Sequence, residues 1–281
     1  MTQVVAVADY AGRQAGFAAR LSSAFSRAGL GLEFRTHREL AAEVSVEQSL
    51  GQPPAVAPDR PLLWLSPGGM AWPPTPDGRF LTAETLAAAR SIAFLTRSPV
   101  LNRPSAVSLC GTFPTGSARA VRGARRLDPE AVRAERFIGT WPPDAAAGAG
   151  RLEVYDYATS RSSYGPAASS TGPFRYRATA GPARLVKVWV VGDRTITATE
   201  VAPATLAASR RIAVWYQLDL ATLWWLAGQD DRARALSRID CWPWDADAGA
   251  GEAADDVTGE VARAAAAWMA ERLGRPAEVS R

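Results

Sequence analysis

The sequence predicts an α/β (α+β) chain: an N-terminal open parallel sheet with helices, followed by a mixed α+β region built on antiparallel strands. Three observations predict it. Short apolar runs alternate with helical periodicity over residues 1–104, the pattern of βαβ units. A strand–turn–strand signal stands out near residue 190. The chain has 281 residues, 47% hydrophobic and 21% charged, which is ample for a buried core.

Val4-Val5-Ala6-Val7-Ala8 is an apolar run ending at Asp9, as expected of a strand buried on both faces. Gly16–Ala28 sets Phe17, Leu21, Ala24 and Phe25 on one helical face, and Gly29 closes it as a C-cap. Leu32–Phe34 reads as the next strand and Pro61–Leu65 as another, ending at the turn Ser66-Pro67-Gly68-Gly69. Leu81–Phe94 is predicted as a helix with Leu86, Ala89, Ile92 and Ala93 on one face, and Val100–Asn102 as a short strand stopped by Pro104.

Residues 105–182 are less regular. Pro129–Arg136 reads as a short helix, Gly139–Gly150 as a loop, Leu152–Tyr157 as an alternating strand and Ser160–Gly172 as a polar loop. Residues 183–281 open with the hairpin Ala183–Val191, Gly192-Asp193, Arg194–Thr199. Leu220–Leu226 and Ala235–Ile239 read as a second strand pair turning at Gln229–Asp231. Ala246–Asp256 reads as an acidic linker, and Val257–Leu273 as an amphipathic helix.

What is scarce excludes several chemistries. No apolar run is long enough to span a membrane, and Met1–Tyr10 lacks the basic flank and cleavage site of a signal peptide. The two cysteines, Cys110 and Cys241, lie far apart in sequence, matching neither a disulfide framework nor a zinc site, so a cytoplasmic protein is expected. Cys110 as a nucleophile would lack a nearby histidine. The one histidine, His37, sits in the polar stretch Arg35–Glu39, where a solvated or capping role is expected. Lys187 is the one lysine among 32 basic residues, and the net charge is only +4. Ala- and Arg-rich usage of this kind points to a high-GC genome. Arginines 119, 122, 125, 126 and 133 form a basic cluster, which reads as a solvated helical face or, alternatively, as a phosphate-contacting surface of a nucleic-acid-associated module.

Several phrases carry a family resemblance. Asn102-Arg103-Pro104 follows a strand. A cation, Lys187, leads the phrase Val188-Trp189-Val190-Val191-Gly192-Asp193-Arg194. Arg238-Ile239-Asp240-Cys241-Trp242-Pro243 comes near the end of the second strand pair, and a terminal helix follows. In order and spacing, nearly end to end, this resembles the ATP-grasp ligases, in particular the glutathione-synthetase-like, ribosomal-S6-modifying and peptide-maturing branch. The resemblance implies an N-terminal pre-ATP-grasp-like domain over 1–104, a reduced central subdomain over 105–182 and a C-terminal subdomain over 183–281. It also implies ATP and magnesium, with a carboxylate activated as an acyl phosphate and captured by an amine.

The departures from that pattern are extensive. A phosphate-binding lysine of the family aligns with Asp156, and a carboxylate facing a triphosphate with no metal between them is repulsive by several kcal/mol. The adenine-side Gln-Glu pair aligns with Arg175 and Tyr176. The strand that should carry a magnesium-binding Asp reads Thr222-Leu223-Trp224-Trp225-Leu226, the next acid aligns with Arg238, and Asp240 replaces an Asn. One carboxylate beside a guanidinium is a poor magnesium site, so no metal site is expected. Alternation puts Arg238 and Asp240 on one strand face, where an ion pair is the plain reading.

The remaining ligand-binding candidates are Lys187, Arg161, Asp240, Asn102 and Arg103. Each has a structural reading beside the functional one. Lys187 is either a phosphate contact or a strand-end lysine in solvent. Arg161 belongs either to a substrate-covering loop or to a loop without a ligand. Asn102 and Arg103 either line the interdomain cleft or cap a turn. Trp215, Tyr216, Trp224, Trp225, Trp242 and Trp244 crowd the C-terminal third. Of the adjacent pair, only one of Trp224 and Trp225 can face the core. Trp225, Trp242 and Trp244 are the interface candidates, because tryptophans outside a core concentrate at interfaces.

Three functions follow as expectations. The first is a catalytically eroded ATP-grasp-like pseudoenzyme, without cofactor, acting as partner or substrate-presenting subunit for another protein or a peptide in a natural-product or peptide-modifying pathway; a homo-oligomer is compatible with it, a membrane is not. The second is an active ATP-dependent carboxylate–amine ligase whose site is rebuilt from Arg161, Lys187, Glu200, Asp219 and Asp240. The third is the nucleic-acid-associated module.

Overall fold

The computed structural model describes residues 1–8, 15–65, 75–105, 108, 110, 136–139, 152–156, 161–165, 174–178, 184–227, 233–241 and 252–274. The first sheet contains β1 (Thr2–Val7), β2 (Leu30–Arg35), β5 (Leu62–Trp64) and β6 (Val100–Leu101), in the order β2-β1-β5-β6. All its pairs are parallel. β5, β6 and the Val4–Val7 stretch of β1 are apolar on both sides because helices cover both faces. Val4 and Ala6 pack with Leu21, Ala24 and Phe25 of α1 (Ala15–Arg27), while Val5, Val7 and Trp64 pack with Leu40 of α2 (His37–Glu43) and with Ala89, Ile92 and Ala93 of α3 (Pro76–Leu95). Gly29 has φ +70° and ends α1, as its C-cap position requires.

Three features of this half differ from the sequence expectation. α3 begins at Pro76 rather than Leu81, because the Thr75 side chain accepts from Gly78 N at 3.1 Å and Pro76 occupies the first turn. The short hairpin of β3 (Ser45–Glu47) and β4 (Ala55–Ala57) was not anticipated. Nor was α2, which a capping box starts: Glu39 N donates to Thr36 Oγ1 at 3.1 Å, and Thr36 N donates to Glu39 Oε2 at 2.8 Å. That helix corrects the reading of His37. It is the first residue of α2, is 0% exposed, and meets the Trp64 ring edge-on at 4.7 Å, so it is a core residue and not a solvated one.

The second sheet has β7 (Arg136–Gly139), β8 (Leu152–Asp156), β9 (Arg161–Gly165) and β10 (Phe174–Ala178), in the order β7-β10-β8-β9 with every pair antiparallel. Ser160–Gly172 therefore is not all loop, since Arg161–Gly165 is strand. The helix expected to end at Arg136 instead meets the first residue of a strand there; residues 129–135 lie outside the described residues, as do those of the loop expected over 140–150.

The third sheet is antiparallel, with β11 (Arg184–Val191), β12 (Arg194–Ile196), β13 (Leu220–Ala227) and β14 (Ala233–Asp240) in the order β12-β11-β13-β14. One face, bearing Val186, Val188, Val190, Leu223, Trp225, Leu236 and Ile239, is covered by Ala208, Ile212 and Tyr216 of α4 (Pro203–Trp215) and its end. The opposite face packs Trp189, Val191 and Leu220 under Val261, Ala265 and Met269 of α5 (Glu252–Arg272). Residues 252–256, expected in a linker, are the start of α5. Gly192 turns the hairpin at φ +58°, and a Cβ there would sit 2.8 Å from Trp268 Cδ1, so both the turn and the α5 contact require glycine. Both hydrophobic cores take residues from the first and third sheets, so these two parts of the chain share their interior. Among the described residues no helix is long and apolar enough to cross a membrane.

Candidate functional site

The candidate site lies on the face of the third sheet that also bears Trp189 and Val191. Along β11, residues 186, 188 and 190 point into one core, which leaves Lys187 on the opposite face with Trp189 and Val191. Along β13 the same alternation leaves Trp224 and Thr222 on that face. The register sets Lys187 opposite Trp224, Trp224 opposite Arg238, and Thr222 between Trp189 and Asp240. The register shifts between Trp224 and Trp225 because β14 carries one extra residue, Ser237, so Leu236 stays on the core face beside Trp225.

Three of these side chains contact one another. Lys187 Nζ lies 4.1 Å from the centre of the Trp224 ring, a cation–π contact. Trp224 Nε1 donates to Asp240 Oδ2 at 3.0 Å. The indole thus stands between the ammonium and the carboxylate and engages both. Lys187 is half-buried at the middle of its strand, which corrects the strand-end, solvated reading. Thr222 Oγ1, buried on the same face, has no hydrogen-bond partner among the described residues. The ion pair expected between Arg238 and Asp240 involves an Arg238 side chain outside the described residues.

The second sheet carries the other aligned positions by register alone. Asp156 of β8 stands opposite Arg161 of β9 and opposite Phe174 of β10, and Arg175 stands opposite Tyr155. Arg161 is the first residue of a strand rather than part of a mobile loop.

Asn102 and Arg103 are both engaged with backbone carbonyls. Asn102 is 0% exposed, with φ +61°. Its Nδ2 donates to Leu220 O at 2.8 Å and Cys241 O at 2.9 Å, and its Oδ1 accepts from Leu220 N at 2.8 Å. It knots β6 to the start of β13 and the end of β14. Arg103 closes the C-terminus of α3: Nη1 donates to Ala93 O, Phe94 O and Thr96 O at 2.9, 3.1 and 2.8 Å, and Nη2 to Ser98 O at 2.9 Å. Of the residues weighed for a rebuilt site, Asp219 is also engaged. Its Oδ2 accepts from Asn102 N at 3.3 Å, and burial pushes its carboxyl above the usual range against the pull of Asn102 N–H, Arg272 and Arg103. Glu200 is exposed past the end of β12.

Of the interface candidates, Trp225 is corrected. It is 1% exposed, and its Nε1 donates to Ser209 Oγ at 2.9 Å in the core under α4. Tyr216 is buried too, whereas Trp215 is exposed. Trp242, Trp244 and the arginines from 119 to 133 lie outside the described residues.

Among the described residues, the Lys187–Trp224–Asp240 set does not by itself fit a magnesium–nucleotide. Such a site needs at least two carboxylates between which the ion can sit and cations left available to phosphate oxygens. Here Thr222–Leu226 carries no acid, position 238 is an arginine, and the Asp240 carboxylate accepts from the Trp224 indole. Among the described residues no group of three or more His, Cys, Asp or Glu could hold a metal ion.

No family model matches the sequence, and no curated protein matches it. Solved structures do. The macrocyclase MdnC of Microcystis aeruginosa MRC, bound with precursor peptide MdnA, is 12% identical, with 96% of this chain and 100% of that one covered at a TM-score of 0.65. The ATP-grasp ligase PsnB, complexed with a minimal precursor, Mg and ADP, is 13% identical over 95% of this chain and 97% of that one, with a TM-score of 0.62. A RiPP-associated ATP-grasp ligase from Chryseobacterium gregarium, in complex with ADP and a leader and core peptide, is 9% identical over 100% and 99%, with a TM-score of 0.60. The fold of this chain is ATP-grasp-like, as the order of its sequence motifs implied.

Proposed function

We propose that this chain is a catalytically eroded ATP-grasp-like protein that serves as a partner or substrate-presenting subunit in a peptide-modifying pathway. The observation that carries the reading is the arrangement Lys187–Trp224–Asp240, in which the ammonium lies over the indole and the carboxylate accepts from the indole N–H. The peptide side draws on likeness: MdnC and PsnB were each solved with a precursor peptide on the same architecture. In this reading the partner is a peptide or another protein subunit, the location is the cytoplasm, and neither nucleic acid nor membrane is involved. A homo-oligomer is compatible with it. The division at 104 and 182 is retained as its domain organisation.

The test is calorimetric and thermal-shift titration of the full chain with ATP, with and without magnesium. A ligand at ten times its Kd raises stability by about 1.4 kcal/mol, which a melting curve resolves. No magnesium-dependent heat and no shift are expected at millimolar nucleotide. Clear magnesium-dependent binding at that concentration or below overturns the erosion.

The second reading, an active carboxylate–amine ligase using ATP and magnesium, draws on the ADP and Mg in the PsnB complex. It requires turnover of ATP with a carboxylate and an amine, and loss of that turnover in Lys187→Ala.

A further inference from the structure

α4 buries Ala208, Ile212 and Ala213 against the third sheet and turns Ala207, Arg210, Arg211, Val214 and Trp215 outward. Val214 is 73% exposed and Trp215 55%. Among the described residues Trp215 is the one exposed tryptophan. Arg210 stands one turn before Val214, and Arg211 one turn before Trp215, so the four side chains share a surface. Pro203–Trp215 contains no Asp or Glu, and among the described residues neither arginine is ion-paired. The helix therefore presents two cations beside two apolar side chains, with no counter-charge of its own. The backbone that carries the indole is fixed. Tyr216 N donates to Ile212 O at 3.1 Å, Leu218 N donates to Ala213 O at 2.9 Å, and Tyr216 and Leu218 are buried on either side of Gln217. An aromatic on an anchored helix end loses little freedom when a partner covers it, and Trp and Arg are the residue types that dominate binding energy at protein interfaces.

We propose that Arg210, Arg211, Val214 and Trp215 form a docking surface for an acidic protein segment. Its carboxylates pair with the two guanidinium groups, and an apolar side chain between them covers the indole and Val214.

Charge complementarity selects this occupant. The face attracts carboxylates and repels cationic partners. A second copy offering the same face would set arginine against arginine. A nucleic acid duplex asks for a row of cations matched to its phosphates, whereas here the two arginines are adjacent in sequence, with alanines before them and apolar side chains after. The inference names the chemistry of the partner and rests on the partner role proposed above; it does not rest on the loss of nucleotide binding.

The experiment selects short random peptides, displayed on phage, on the immobilised full chain. Enriched peptides are synthesised with a fluorescent label and titrated by anisotropy. The expected peptides are rich in Asp and Glu around an apolar residue, and their binding weakens as ionic strength rises. Trp215→Ala weakens it about 30-fold or more, the loss of a hot-spot side chain. The double variant Arg210→Glu, Arg211→Glu abolishes it, and decides the matter even where Trp215→Ala disturbs the helix end. No enrichment, enrichment of neutral or basic peptides, or unchanged affinity in both variants would each overturn the proposal. A labelled oligonucleotide that binds the same face more tightly than any selected peptide would assign it to nucleic acid, and a dimer that Trp215→Ala dissolves in sedimentation would assign it to a second copy; either result also overturns it. Magnesium-dependent ATP binding, with the peptide result intact, would remove the erosion and leave the docking surface standing.

Discussion

The Asn102 side chain clasps the Leu220 peptide at both ends, accepting from its N–H and donating to its C=O at 2.8 Å each. The same amide donates to Cys241 O, so one buried side chain joins the parallel sheet to two strands of the third sheet. Asn102→Ala removes three hydrogen bonds, leaves buried backbone groups unpaired, and puts a Cβ-bearing residue without local polar support at φ +61°. The expected loss is about 3 kcal/mol, read as a lower urea midpoint at unchanged slope. A loss below about 0.5 kcal/mol would show that the knot carries no stability.

Two carboxylates near this knot give opposite pH signatures. Partial burial pushes Asp59 up, but hydrogen bonds from Thr96 Oγ1, Arg97 N and Ser98 N outweigh it and hold the carboxyl below 3.8. Its contribution is full above the unfolded value and is lost as pH falls through the folded one. Asp219 is raised above 3.8 by burial, so its contribution is present below the unfolded value and is lost as pH rises through the folded one. Urea midpoints from about pH 3 to about pH 7 separate the two. Asp59→Asn destabilises increasingly as pH rises from the acid end. Asp219→Asn keeps an acceptor for Asn102 N and gains on wild type over the same rise. Parallel profiles for the two variants would refute the assignment.

Much of the fold was legible in the sequence because its elements carry strong local signals. The apolar run of β1, the Gly29 cap of α1 and the Gly192-Asp193 turn each express one backbone requirement in one residue pattern. α2 was also written there, as Thr36-x-x-Glu39, but its short length and polar surface concealed it, and with it the burial of His37. The roles of Asn102 and Arg103 were not legible. Both bind carbonyls that only the packed sheets and the finished end of α3 present. The pairing of Lys187 with Trp224 likewise depends on register and chain reversal, which spacing along the chain does not encode.

Trp225 illustrates the same limit. As an interface residue, its truncation would weaken binding and spare folding. In the structure its indole fills the core under α4 and donates to Ser209 Oγ, which in turn donates to Thr205 O at 2.8 Å. Trp225→Ala therefore costs about 4 kcal/mol. Ser209→Ala, which strands the indole N–H, costs about 1–2 kcal/mol. Thermal or chemical denaturation checks both; a Trp225→Ala chain as stable as wild type would return Trp225 to the surface.

The sharpest discrimination between an eroded and a rebuilt site comes from Lys187 and Trp224 together. Lys187→Ala removes a half-buried cation–π contact worth about 1 kcal/mol, while Trp224→Phe keeps an aromatic face for the ammonium and removes the N–H that Asp240 accepts, again about 1 kcal/mol. If the three side chains serve the fold alone, both variants melt slightly lower and neither alters the response to magnesium–ATP, which stays at the wild-type baseline. If Lys187 contacts phosphate, Lys187→Ala instead abolishes a nucleotide-dependent shift that wild type displays, at a stability change too small to account for it. Melting curves of the three proteins with and without magnesium–ATP decide between these outcomes, since the structural contribution lowers every curve equally whereas a phosphate contact alters only the difference between curves.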